Sequence, residues 1–211
     1  MKKSLIYIII LVTAAAAVLL VIREKKRRIE MAGKSVELPA PATAGGMPIM
    51  DALRNRRSGR AFAPAAIPND MLSNLLWAAN GINREDGHHT APTARNMNEI
   101  DLYAISADGI FRFVPDGHRL EKISGENITA ATGYNAPLTI AMVADMEKAA
   151  SREMAYADCG FIGQNIYLFA AANGLETVFK GSVDKQVVEK LRLAEKQELL
   201  FVQDVGFKAE E

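Results

Sequence analysis

Apolar positions along this chain change period several times, and each change marks an element. Ser4 to Ile22 is a run of nineteen residues without a charge, long enough for a helix to cross about 30 Å of hydrocarbon. A short helix fits between Pro48 and Gly59, with Met50 and Leu53 facing a core. From Ile67 to Gly81, Leu72, Leu75, Leu76 and Ala79 recur at helical spacing between Pro68 and the stop at Gly81. Leu102, Ala104 and Ser106 then alternate with Tyr103 and Ile105, Asp108-Gly109 supplies a turn, and Ile110 to Val114 returns, which predicts a hairpin. The unbroken apolar run from Pro137 to Val143 predicts a buried strand. From about Ser151 to Asn173 the period is helical, and the second half is apolar almost all round, so this helix is expected to be central and buried, ending at Gly174. Val187, Val188 and Leu191 mark a shorter helix, and Leu199 to Val205 a last strand. Helices outside a mostly antiparallel sheet, in mixed order, predict an α+β domain. No Gly-x-Gly-x-x-Gly occurs, so a dinucleotide fold of the doubly wound type is not expected.

Charge changes this picture at the amino-terminal end. The formal charge of zero conceals seven Lys/Arg and one acid in residues 1–28, against eighteen Lys/Arg and twenty-four Asp/Glu beyond. A domain with that acidic excess has no electrostatic footprint for nucleic acid. Lys2 and Lys3 precede the apolar run, and Arg23, Lys25, Lys26, Arg27 and Arg28 follow it. A basic run directly behind the apolar segment resists translocation, so the expectation is an uncleaved single-pass membrane anchor with a cytoplasmic domain, export being the alternative. The expected organisation is a basic tail over 1–3, an anchor or signal-like segment over 4–22, a basic run and Pro/Gly/Ala-rich tether over 23–46, and one domain over 47–211. Cys159 is alone and forms no internal disulfide. His88, His89 and His118 lack metal-ligand spacing, and no metal is expected.

Two short segments carry candidate chemistry. Arg56-Arg57-Ser58-Gly59-Arg60 places three planar, permanently charged forks and a hydroxyl within five residues, a set suited to a phosphate and to the carbonyl oxygens of a delocalised ring. Taken alone, it fits a solvated basic helix end equally well. Ala91-Pro92-Thr93-Ala94-Arg95-Asn96 alone reads as an ordinary turn. With them come Leu75-Leu76-Trp77-Ala78-Ala79-x-Gly81, Ala136-Pro137, Asp158-x-Gly160-x-x-x-Gln164-Asn165, Asn173-Gly174-Leu175 and Lys180-Gly181. In that order and spacing, from about Pro48 to Lys208, the chain resembles the FMN-dependent nitroreductase family. The stretch Ile82-Asn83-Arg84-x-Asp86-Gly87 leading into Thr90-Ala91-Pro92 is most similar to the branch that contains peptide azoline dehydrogenases.

The resemblance implies an α+β sandwich with a mostly antiparallel central sheet flanked by helices, built as an interlocked homodimer with tightly bound FMN at its interface. It assigns Arg56 and Ser58 to the phosphate and ribityl chain, Arg57 to contacts nearby, and Arg60 to the pyrimidine side of the ring, where a cation favours the reduced, anionic flavin. Pro92, Thr93, Ala94 and Asn96 match the segment that covers the flavin from the partner subunit. Thr93 stands where serine is commoner and keeps the hydroxyl. Val178, Lys180 and Gly181 match a strand end passing the ring, Lys180 either meeting the flavin or standing in solvent and Gly181 admitting close backbone approach. Lys208 matches a basic phosphate ligand. No catalytic side chain is needed: a flavin carries the redox chemistry, NADH or NADPH supplies electrons, and a small electron-poor acceptor such as a nitroaromatic or quinone takes them. The alternatives are an azoline-type peptide dehydrogenase, although the Lys-Tyr dipeptide of that branch is absent here, a non-catalytic membrane-tethered flavin-binding protein, and a structural, membrane-anchored interaction domain that binds no flavin.

Overall fold

The computed structural model describes residues 35–210. Seven strands form one sheet: β1 (Ser35–Glu37), β2 (Ile100–Ser106), β3 (Gly109–Val114), β4 (Arg119–Ser124), β5 (Leu138–Asp145), β6 (Leu175–Lys180) and β7 (Gln197–Phe207). Their spatial order is β1-β4-β3-β2-β5-β7-β6, and every neighbouring pair is antiparallel. Among the described residues four α-helices accompany them: α1 (Ile49–Asn55), α2 (Asn69–Asn80), α3 (Arg152–Ala172) and α4 (Lys185–Leu191). The expected α+β architecture with a mostly antiparallel sheet is what the protein adopts.

Alternation along the central strands sorts the core into two layers. Leu102 and Ala104 of β2, with Leu138, Ile140, Met142 and Ala144 of β5, face α2 and α3, where they meet Leu75, Leu76, Ala79, Ile162 and Ile166. Tyr103 and Ile105 of β2, with Ala141 and Val143 of β5, face the opposite way and pack with Val187 and Leu191 of α4. Strand β5 is therefore covered on both sides, which is why its sequence is a continuous apolar run. Helix α3 begins where Ser151 accepts the Met154 N–H at 3.3 Å. It buries Ala155, Cys159, Ile162, Ile166 and Ala170. Met154, Tyr156 and Phe161, all in its first half, remain exposed, so the helix expected to be central and buried is open to solvent along one side of that half within a single chain.

Three differences from the sequence reading have physical causes. Strand β4 is absent from the apolar pattern because its outer face is charged: Glu121 pairs with Arg112 at 2.6 Å and with Arg119 at 3.3 Å. Part of the expected tether is docked on the domain, with β1 pairing to β4, the Pro39 carbonyl accepting the Ser73 hydroxyl at 2.6 Å, and Asn74 accepting the Ala42 N–H at 2.7 Å. The expected single-pass membrane placement is corrected: among the described residues no helix is long and apolar enough to cross a membrane. The segment 4–22 on which that expectation stood lies outside the described residues.

The hairpin turn is as expected, with Ser106 opposite Gly109 in the β2–β3 register. Gly109 has φ +124°, and a Cβ there would lie 2.2 Å from the Ser124 carbonyl oxygen. Both the backbone region and the space exclude a side chain. Gly109→Ala is therefore expected to lower stability by about 2 kcal/mol or more, read as the shift in urea midpoint at unchanged slope.

Candidate functional site

The chain leaves α1 at Arg56, whose extended backbone (φ −58°, ψ 123°) ends the helix. Residues 56–60 thus form an extended segment rather than a helix end. It is sewn to β6 by the Gly59 N–H, which donates to the Thr177 carbonyl at 2.9 Å. A Cβ at residue 59 would lie 1.3 Å from the Glu176 carboxylate, so a side chain there would displace that carboxylate from its place. Glu176, with only 8 % of its side chain exposed, accepts from the Arg57 guanidinium at 3.1 Å. The Ser58 and Tyr167 hydroxyls are 2.7 Å apart, the Phe179 N–H donates to the same Tyr167 oxygen at 3.0 Å, and the Arg56 guanidinium lies 4.9 Å from the centre of the Tyr167 ring. One tyrosine on α3 therefore fixes two of the expected phosphate residues and the end of β6. Arg60 is exposed.

Lys208 reaches this place through the far end of the chain. The segment at Phe62 bridges to Lys208, the Ala63 N–H donates to the Phe207 carbonyl at 2.9 Å, and the Ala209 N–H donates to the Ala61 carbonyl at 3.1 Å. A cleft of about 330 Å³ results, lined by Asn55, Arg57, Tyr167, Glu176 and Lys208 among others. Two cations, an amide and a hydroxyl converging on one cleft form a donor set that fits a phosphate.

Val178 is buried within β6, and Gly181 follows the strand on the surface. Lys180 neither stands in solvent nor extends freely. Its side chain is 12 % exposed and its ammonium contacts the Asp204 carboxylate and the Thr132 carbonyl. The Tyr134 ring centre is 5.2 Å away. Asp204 is fully buried. Burial pushes its carboxyl above the usual range, while Lys180 and the Thr139 hydroxyl, which donates at 2.7 Å, hold it down. A second cleft of about 360 Å³, lined by Thr132, Gly133, Tyr134, Lys180, Ser182 and Asp184 among others, opens at this end of β6.

The Pro92–Asn96 segment lies elsewhere. It forms a tight turn (Ala94–Asn96) whose Ala94 N–H donates to the Asp158 carboxylate of α3 at 2.9 Å. Asp158 and Tyr167 are separated along the helix by about 14 Å at 1.5 Å per residue. Within one chain, the residues expected to bind the flavin thus fall into three places: the cleft of Arg57 and Lys208, the Lys180 end of β6, and the 92–96 turn tied to α3. Sequence reasoning missed Tyr167, Glu176, Asp204 and Tyr134. A hydroxyl inside the apolar run Ile166-Tyr167-Leu168-Phe169 was the available signal, since a half-buried tyrosine oxygen needs a partner.

The model of the nitroreductase family matches residues 53–207. The chain belongs to the nitroreductase family. Among its relatives, the Methanocaldococcus jannaschii protein named "Putative nitroreductase MJ1384" is 28 % identical over 185 residues, 76 % of this chain and 91 % of that one. A crystal structure bearing the same provisional name, from Ralstonia eutropha JMP134, is 32 % identical with a TM-score of 0.79, covering 85 % of this chain and 92 % of its own. Another so named, from Desulfovibrio desulfuricans and in complex with FMN, shares the fold at 21 % identity with a TM-score of 0.57, covering 79 % of this chain and 89 % of its own.

Tyr167→Phe keeps the ring under Arg56 and deletes both hydroxyl contacts. It is expected to lower stability by about 1–2 kcal/mol, read by chemical denaturation, with Tyr167→Leu costing more because the ring is lost as well.

Proposed function

We propose that this protein is an FMN-dependent oxidoreductase that takes electrons from NADH or NADPH and passes them to a small electron-poor acceptor such as a nitroaromatic or quinone. The observation that carries this reading is the convergence of Arg57 and Lys208, residues from opposite ends of the domain, on one cleft beside Arg56 and Ser58. That donor set suits the phosphate of a flavin mononucleotide. Bound FMN supplies hydride chemistry at its N5 position. Arg56, its guanidinium 4.9 Å from the Tyr167 ring centre, and Ser58 would hold the phosphate end. Arg60 contributes positive charge toward the pyrimidine side of the ring. Lys180 and Tyr134 form one wall of the cleft next to Gly181, where ring and acceptor meet, and the buried Asp204 keeps the Lys180 ammonium fixed there.

A homodimer belongs to the same reading. Met154, Tyr156 and Phe161 on α3, with Ile49, Met50 and Leu53 on α1, present large apolar side chains to solvent in the single chain, an arrangement suited to burial against a second copy. The separation of the Thr93–Asn96 turn from the Arg56 cluster along α3 supports a cofactor site completed by the partner's turn.

The test is the visible spectrum of the purified full chain before and after NADH or NADPH is added without oxygen. Flavin bands that bleach are expected. Bands that persist with both nucleotides, together with oxidation of an azoline peptide, place the protein among peptide dehydrogenases instead. A colourless protein that ignores added FMN removes the flavin reading. Arg56→Ala is expected to weaken FMN binding by roughly tenfold to a hundredfold, the loss of one charged hydrogen-bonding group. Arg60→Ala should chiefly slow flavin reduction, and equal, negligible effects from both would remove the assignment.

A further inference from the structure

Glu99 stands immediately before β2, is 1 % exposed, and has no hydrogen-bond partner for either carboxyl oxygen when it is written as a carboxylate. An ionised, unpartnered carboxylate in such a place is strongly disfavoured. Opposite it, from α3, is Asp158, which is 2 % exposed and within hydrogen-bonding reach of Glu99. Two acceptor-only groups cannot bond to each other, but one proton between them replaces repulsion by an O–H···O bond. Asp158 is the member that keeps the negative charge, because its Oδ2 already accepts the Ala94 N–H at 2.9 Å, a bond that strengthens with charge on the acceptor. Burial, reinforced by Asp158, pushes the Glu99 carboxyl up to about 7. The third titratable group facing the pair is the Cys159 thiol, buried beside Asp158 and pushed by burial up to about 12, so it remains neutral.

The segment attached to Asp158 needs such an anchor. Arg95, Asn96 and Asn98 have φ of 56°, 56° and 48°, three non-glycine residues in the left-handed region within four positions. That backbone is uncommon and costly, so contacts must hold it. Those contacts include the Asn98 N–H donating to Thr93 Oγ1 at 3.0 Å, the Asn96 N–H donating to the Thr93 carbonyl at 3.0 Å, and the Ala94 N–H on Asp158. Of these, the Ala94 bond ties the turn to the body of the protein.

We propose that Glu99 and Asp158 share one proton and together position the Thr93–Asn98 segment: neutral Glu99 donates to the Asp158 carboxylate, and that carboxylate fixes the Ala94 N–H and so the segment that covers the flavin. What the segment covers rests on the flavin reading above; how it is held does not. Asp158 and Glu99 are positioning residues, acting through the turn and touching no cofactor.

The test compares the full chain with Asp158→Ala, Asp158→Asn and Glu99→Gln. Asparagine retains an acceptor for Ala94 and an N–H donor for Glu99, so it is the conservative rescue. In the absence of FMN, amide exchange in residues 93–98 is expected to quicken about tenfold in Asp158→Ala, the equivalent of one hydrogen bond, and to stay near the native rate in Asp158→Asn. FMN binding should weaken in the alanine variant by a similar factor and be restored in asparagine. The infrared band of a protonated carboxylic acid should be present at neutral pH in the native protein and missing in Glu99→Gln. A folded Glu99 that keeps its proton to about 7, and an unfolded one that releases it at the ordinary glutamate value, make stability fall as pH rises between those values and level off above. Glu99→Gln should flatten that slope.

Unchanged exchange in Asp158→Ala, with the protein folded by circular dichroism, overturns the positioning role. Absence of the protonated-acid band in the native protein overturns the shared proton. Quickened exchange with unchanged FMN affinity overturns the link to the cofactor. A native protein that takes up no FMN overturns the flavin reading, while exchange and infrared data still decide the pair.

Discussion

Strand β5 has no face left for solvent, and most of the architecture follows from that. Leu138, Ile140, Met142 and Ala144 point to one layer and Ala141 and Val143 to the other, all fully or almost fully buried. A strand with two dry faces must be central, and both faces need a cover. Helices α2 and α3 provide one and the short α4 the other. Because β5 lies between β2 and β7, the same requirement sets the height of α3 over the sheet. It thereby sets where Asp158 and Tyr167 reach the loops.

Helix α3 is consequently more than packing. Its inward residues serve the core, while Tyr167 gathers Ser58, Arg56 and the backbone of β6, and Asp158 takes hold of the 93–98 turn nine positions earlier. A displacement of this helix would move both groups together. Coupling of that kind needs no flexible element, only a rigid rod with contacts at two points. The exposed side of the same rod carries Tyr156 and Phe161 along with Arg152, Glu153 and Gln164, so a second chain packed there would bear on both contact points at once.

Much of the fold could be read from the chain, because its strongest signals are local. The β2–β3 hairpin declares itself by alternation and the Asp108-Gly109 turn, and α2 and α3 by period and caps. Strand β4 could not be read this way. Its outer face carries cross-strand ion pairs, Glu121 with Arg112 above all, and those depend on a register that only the folded sheet creates. The candidate site divides in the same manner. Arg56 to Arg60 was visible as a cluster because its members are neighbours in sequence. Glu176, Asp204 and Glu99 look like ordinary strand or loop residues until long-range pairing places them beside Arg57, Lys180 and Asp158. Of the two places open to Lys180, the folded sheet excludes solvent, and nothing near it in sequence indicates that its partner is a buried aspartate on a neighbouring strand.

The Arg57–Glu176 contact has a further consequence for any anion entering the cleft. Glu176 is covalently part of the chain and its carboxylate already rests against the guanidinium, in space that only Gly59 leaves open. It is a tethered occupant, present at high local concentration whether or not a ligand is near. An arriving phosphate exchanges one ion pair for another rather than neutralising a bare cation. The guanidinium is largely in water but the carboxylate is 8 % exposed, so drawing Arg57 away would leave a nearly buried anion without its charged partner. A dianion that also met Lys208 across the cleft would have a second cation to offset this, whereas a monoanion meeting Arg57 alone would gain nothing over what is already in place. Any selection by charge in this cleft would start from a cation that the chain's own carboxylate already occupies.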